Sequence, residues 1–343
     1  MKKTFFFLLF SVFLIAQKTE IIDLSKSIKD SKNSIRNFTV IDQRPDKAIG
    51  SVIFHKDQVN IVFEKDAVTD IQEWFYKDNK VRGNNDFVLL LESLNITEEK
   101  KEKYTIGKLE VRASTFIKKS DGYHFVYRKD TVAEVSSIKT PYLAQSLAKK
   151  VTIVLTDLIK NSYNKRAWDY NISESELPNY TTILKDKLDI LKTGELKDGV
   201  YKDYYSFFTH NPEPDFVIQT NNKEIVTKAV KGEEKVPIRN FYAFVYNGVA
   251  YKVIPVGYVE IFRDEMGLFI EVKKEELFPE NSSNYFFIGG GVVGLVASVV
   301  GNVAVAAIDA SVAKKRRGMA GTDVSLDPFT GHYILPENFG KSK

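Results

Sequence analysis

The sequence predicts an α+β protein with three parts. An N-terminal α/β sandwich has a mixed sheet with helices on one side. A second, smaller β-rich domain follows, and then a C-terminal glycine-rich transmembrane-like helix. Three observations lead there. Up to about residue 163, alternating apolar runs are interleaved with segments of helical spacing. From 196 to 280, alternating runs are separated by turn residues. From Tyr285 to Ile308, 24 residues pass without a charge.

Length and composition set the frame. A chain of 343 residues can bury two ordinary cores. With 43% hydrophobic and 27% charged residues it belongs with folded chains, not disordered ones. It contains no cysteine, which excludes disulfides, a thiol nucleophile, a thiolate metal site and an acylated N-terminal cysteine. Residues 1–16 set Lys2 and Lys3 before the apolar run Phe5 to Ile15 and the small Ala16, the pattern of a secretory signal peptide. Losing those two lysines takes the net charge from +4 to about +2, with acids and bases interspersed. No basic stripe alternates with aromatics, so nucleic acid is excluded as a partner. The expected location is the cell envelope, anchored in the inner membrane with the domains in the periplasm. The alternatives are outer-membrane association or secretion.

Residues 17–36 read as a polar leader and 37–163 as the α/β domain. Within it, FTVID and QVNIVF are strand candidates, and Val68, Ile71, Trp74 and Phe75 recur at helical spacing. FVLLLESLNIT reads as a buried strand. Leu109, Val111, Ala113, Thr115 and Ile117 then point to one face of a half-exposed strand. Ser120-Asp121-Gly122 turns the chain into a hairpin. Thr140-Pro141 reads as the capped start of a helix striped by Leu143, Leu147, Val151, Val154, Leu155 and Leu158. Residues 164–195 read as a helical connection and 196–280 as the β-rich domain, where Asn247-Gly248 marks a tight hairpin.

Val40, Asp42, Arg44, Pro45 and Gly50, in VIDQRPDKAIG, together with the element order to about Tyr163, carry a resemblance. Residues ~36–163 resemble the YajG-like envelope lipoproteins, relatives of the auxiliary subunits of lipid-exporting ABC systems. The resemblance implies a non-catalytic periplasmic module that binds partners or envelope polymers. The chain departs from that family in having no cysteine to acylate. The plain alternative for Asp42 and Arg44 is a surface ion pair at a strand end.

Catalytic signatures are absent from the sequence. No GxSxG, SxxK, P-loop or HExxH occurs, and the four histidines (His55, His124, His210, His332) are scattered. The one loop that gathers an imidazole with carboxylates is Thr209 to Asp215, where His210, Glu213 and Asp215 are candidate metal or acid–base residues. Tyr201, Tyr204, Tyr205, Phe207 and Phe208 beside it are a candidate aromatic platform. The expected function is a non-enzymatic envelope protein for binding, assembly or transport accessory work, with no cofactor. The alternative is a secreted enzyme or glycan-handling protein with its site near His210 to Asp215.

Residues 285–310 spell a literal GxGxxG at Gly289, Gly291 and Gly294, but too little chain follows for a dinucleotide fold. As a helix the uncharged run measures about 36 Å, enough to cross a bilayer. Lys314, Lys315, Arg316 and Arg317 then read as the cytoplasmic stop, and 311–343 as a polar tail. Gly290, Gly294 and Ser298, with Ala297 and Gly301, supply small-xxx-small spacing for helix packing, including a homo-oligomer through this helix. A buried glycine-rich hairpin is the rival reading. The expected partners are the membrane and envelope proteins or polymers.

Overall fold

The computed structural model describes residues 18–54, 57–279, 295–297, 321–336 and 339–340. Strand predominates over helix, 43% to 21%, so the chain is mainly β and not the α+β protein expected.

The first half is built on long strands. Strand β1 (Lys18–Ile21) pairs parallel to β4 (Asp57–Val62), and β3 (Ser51–Phe54) pairs antiparallel to β4; β2 is Ile35–Asp42. Helix α1 (Ala67–Asp78) starts at Asp66, whose carboxylate accepts from the Thr69 N–H at 2.9 Å. It buries Ile71, Trp74 and Phe75. Strands β5 (Asn85–Lys100), β6 (Thr105–Lys119) and β7 (Gly122–Ser136) form the spine of a five-stranded sheet ordered β2-β5-β6-β7-β8, with β8 at Asn171–Ile172. Only the β2–β5 pair is parallel. Helix α2 (Leu143–Ser162) lies against β6 and β7 and starts later than Thr140-Pro141 suggests. Its N-cap is Tyr142, and the Thr140 hydroxyl accepts from the Tyr142 N–H instead. Both helices cover one face of the sheet, where Leu89, Leu91, Val111, Leu147 and Leu155 make a first core.

The other face is also buried. Val88, Leu90, Phe116 and Phe125 point into a second core shared with the rest of the chain. This is why Ser114 and Phe116 are buried on the side of β6 that alternation assigns to solvent. A short 3-10 turn at Glu174–Asn179 and α3 (Tyr180–Lys185) lead from β8 to β9 (Gly199–Tyr201) and α4 (Tyr204–Phe208). A three-stranded sheet follows, β10 (Val217–Thr220), β11 (Val226–Lys231) and β12 (Glu234–Pro237). Then come β13 (Ala243–Tyr246), β14 (Val249–Ile254), β15 (Gly257–Asp264), β16 (Gly267–Val272) and the single-turn α5 (Lys274–Leu277). Asn247 and Gly248 sit at φ 52° and 74°, the left-handed pair that a two-residue hairpin requires.

The C-terminal region corrects the expected architecture most. Strands β17 (Leu295–Ala297), β18 (Thr322–Leu326) and β19 (Tyr333–Leu335) extend the same sheet, giving the order β17-β19-β18-β16-β15-β14-β13-β9. The second β system thus has more strands in its sheet, eight against five, each shorter than β5, β6 or β7. The stretch read as a polar tail supplies two of its strands. Of the expected 285–310 helix, the described residues are Leu295 to Ala297, and they are extended, paired with Tyr333–Leu335. Ala297 is thus a strand residue, not a helix-packing one. Gly290, Gly294, Ser298 and Gly301, and the cluster Lys314 to Arg317, lie outside the described residues. A single crossing would put a bilayer between β16 and β18, yet they pair directly from Phe269↔Ser325 to Val272↔Thr322. Among the described residues no helix is long and apolar enough to cross a membrane.

Phe329, in the turn between β18 and β19, completes the second core. It stacks on Trp168 at 5.7 Å and meets Phe125 edge-on at 5.6 Å. Burying one such ring contributes about 1.5–3 kcal/mol.

Candidate functional site

The loop singled out by its imidazole and carboxylates follows α4. Asp203 caps that helix, its carboxylate accepting from the Ser206 N–H at 2.8 Å. The helix buries Tyr204, Phe207 and Phe208 against β9 and β13, and Tyr201 is buried too. Four of the five candidate platform rings are therefore core, and only Tyr205 is half-exposed. The chain then reverses through left-handed backbone at His210 (φ 54°) and Asp215 (φ 67°). Pro212 presses on Gly199, where an added Cβ would lie 2.8 Å from Pro212 Cβ. Gly199 itself sits at φ 147°, so only glycine lets the loop close here. The Glu213 N–H donates to the Val200 carbonyl at 2.8 Å and fixes the loop on β9.

A cleft of about 420 Å³ opens between this loop and residues 165–170, which follow α2. His210 and Glu213 both line it; Asp215 does not, and pairs with Lys231 at 3.2 Å. The His210 ring is buried, and its Nε2 accepts the Lys197 N–H at 2.7 Å. Burial, helped by the Lys197 charge, pushes the imidazole pKa down. The ring is thus neutral at pH 7 and spends its lone pair on the backbone. The structure brings two of the three candidate residues to one cleft and gives the histidine a positioning task. Among the described residues, no group of three or more His, Asp or Glu is placed to hold a metal ion.

The opposite wall is Lys165-Arg166-Ala167-Trp168-Asp169-Tyr170, which sequence reasoning absorbed into a charged connection. Its one signal was a tryptophan, one of only two in the chain, set among charges. Trp168 is held from behind. Its N–H donates to the Phe125 carbonyl at 2.7 Å, and its carbonyl lies 2.8 Å from His124 Nδ1. Arg166 Nη2 donates to both Asp169 oxygens at 2.9 and 2.7 Å, and this bond holds the Asp169 carboxyl below the usual range. The Tyr205 hydroxyl donates to the same carboxylate at 3.1 Å and accepts from the Asp169 N–H at 3.0 Å. Lys165 Nζ lies over the Tyr127 and Tyr204 rings, 5.6 Å from each centroid.

Behind the cleft runs a buried polar chain. Ser114 donates to Glu92 Oε2 at 2.7 Å and lies 2.6 Å from the Tyr180 hydroxyl. Arg128 pairs with Asp327 at 3.2 Å, and Thr330 donates to the same Asp327 oxygen at 2.8 Å. Glu92 follows Val88 and Leu90 onto this face by alternation, and the β5–β6 register slip between Leu91 and Ser93 then turns Leu94 and Ile96 to the first core.

The VIDQRPDKAIG motif is placed elsewhere, at the end of β2. Arg44 grips Asp42 through two bonds of 3.0 and 2.9 Å, and both side chains are nearly buried, unlike a surface pair. Gly50 sits at φ 123° against the Ile96 carbonyl, where any side chain would collide. Here the motif shapes the 43–50 connection. Compared with protein-family models, characterised proteins and solved structures, the chain matches none.

Proposed function

We propose that this chain is an exported, non-enzymatic binding module of the cell envelope, with its ligand seat in the 165–170/209–214 cleft. The export part rests on the signal-peptide pattern of residues 1–16. The motif-borne likeness to YajG-like envelope proteins favours the same class. The observation that carries the binding part is the cleft itself. It is of ligand size, and its walls are pinned by backbone bonds from both β systems. Two left-handed non-glycine residues sit in its loop, strain that concentrates where a fold positions a ligand. The commitment of His210 Nε2 to the Lys197 N–H favours binding over acid–base chemistry.

The test is co-sedimentation of the mature protein with isolated envelope polymers. Asn211→Trp fills the cleft from an exposed side chain whose backbone N–H bond to Ser206 is kept. The wild-type chain sediments and the variant stays in solution. Equal sedimentation of a folded variant overturns the cleft as the seat.

A further inference from the structure

Building on that reading of the cleft, we infer that it takes an acidic sugar, its carboxylate read by Lys165 and Lys197 and its hydroxyls by Glu213 and Asn211. The argument comes from which of the charged groups on the walls are already committed. Three cations line the cleft, Lys165, Arg166 and Lys197, and three acids, Asp169, Asp203 and Glu213. Asp169 is saturated by Arg166 and the Tyr205 hydroxyl. Asp203 is spent on the first turn of α4. Removing the Arg166–Asp169 pair leaves two lysines against Glu213 and against Asp203, whose carboxylate is turned onto the first turn of α4.

Neither lysine has a carboxylate partner among the described residues. Lys165 rests on two aromatic faces, and Lys197 Nζ reaches only the His210 carbonyl, at 3.3 Å. A lysine on an aromatic face keeps its charge and is held in place, so it meets an anion at little entropic cost. The hydroxyls of Ser206 and Thr209 already donate to backbone carbonyls and offer the ligand no donor. Among the groups that remain for recognition, besides the Tyr170 hydroxyl, are two ammonium groups, one carboxylate and one amide. A carboxylate flanked by hydroxyls answers all four, while a neutral sugar leaves the lysines unanswered. Tyr170 and Tyr205, both half-exposed, and the two prolines of the loop supply apolar surface for a ring face.

The probe is glucuronate, with glucose as its neutral counterpart, titrated into the full mature chain. Tryptophan emission is followed in a Trp74→Phe background so that Trp168 reports alone. Glucuronate saturably changes the emission, binding weakens as salt rises, and glucose at the same concentrations does nothing. Lys165→Gln/Lys197→Gln lowers glucuronate affinity at least tenfold, and Lys165→Arg/Lys197→Arg retains most of it. Equal responses to both sugars, no response to either, or full affinity in the glutamine pair overturns the inference. Those results leave the polymer co-sedimentation of the Asn211→Trp variant to judge the cleft independently.

Discussion

Arg128 Nη2 and Asp327 Oδ2 meet at 3.2 Å across 199 residues of sequence, with the guanidinium 4.8 Å above the Phe329 ring. Burial by itself would depress the arginine pKa, but Asp327, Tyr180 and Asp130 together outweigh it and the net direction is upward. This pair fastens the β18–β19 turn to β7. Asp327→Asn leaves the buried guanidinium without its nearer counter-charge, with only Asp130 at 3.9 Å, at a cost of about 3 kcal/mol. Urea unfolding measures the loss. The double variant Arg128→Met/Asp327→Asn recovers most of it, because the unpaired charge is gone while an acceptor oxygen remains at 327 for the turn. Additive losses from the two sites would dissociate the pair from stability.

Lys252 gives a pH-dependent prediction. It is buried in β14, with Nζ donating to the Tyr242 and Val253 carbonyls at 3.0 and 2.9 Å and 3.9 Å from the Tyr242 ring. Burial lowers its pKa from 10.5 to about 7. Between those values the unfolded chain binds a proton that the folded chain does not, so stability rises with pH through that window. Below pH 7 both states are charged and the penalty is at its full size. Lys252→Met is therefore stabilising at pH 6, on the order of 2 kcal/mol, with the gain shrinking towards pH 10. Thermal melts at the two pH values check the trend, and a gain that grows with pH contradicts it.

Glu92 runs the other way in charge and the same way in cause. Burial raises its carboxyl pKa although Ser114 and Tyr180 donate to it. A raised folded pKa on an acid means stability that is full below the unfolded pKa and is lost as pH rises through the folded one. Glu92→Gln should gain about 1 kcal/mol at pH 7 and nothing at pH 4. Chemical denaturation at both values decides it.

The return of the chain to its sheet after residue 320 is open to a covalent test. The protein has no cysteine of its own, so Phe269→Cys/Ser325→Cys introduces a single directly opposed pair. Opposed Cα atoms in an antiparallel ladder are about 4.5–5.5 Å apart, within disulfide range. Mild oxidation should cross-link the folded chain quantitatively. Absence of the bond would remove β18 from its place beside β16.

Local chemistry was legible and distant pairing was not. The Asn247-Gly248 hairpin and the stripe on α2 each rest on residues a few positions apart, and each is where spacing put it. The misread region fails for a physical reason. An uncharged apolar run is what a bilayer selects, and equally what a strand in a folded sheet selects. The clue that decides between them is TDVSL pairing with FIEV some fifty residues earlier, which no local pattern records. The cleft was half visible for the same reason. Its 209–214 wall announced itself by composition, while the 165–170 wall is fixed by distant partners, the Phe125 carbonyl, Tyr205 and the Phe329 ring.

The order in which the chain emerges gives that stack a further meaning. The first core closes with α2 and draws on nothing later in the sequence. Its other face, with Val88, Leu90, Phe116 and Phe125, is covered first by Trp168 and Tyr180 and is completed only when Phe329 arrives, some two hundred residues after Phe125. A chain cut short before residue 320 would therefore leave apolar surface of this face open to water.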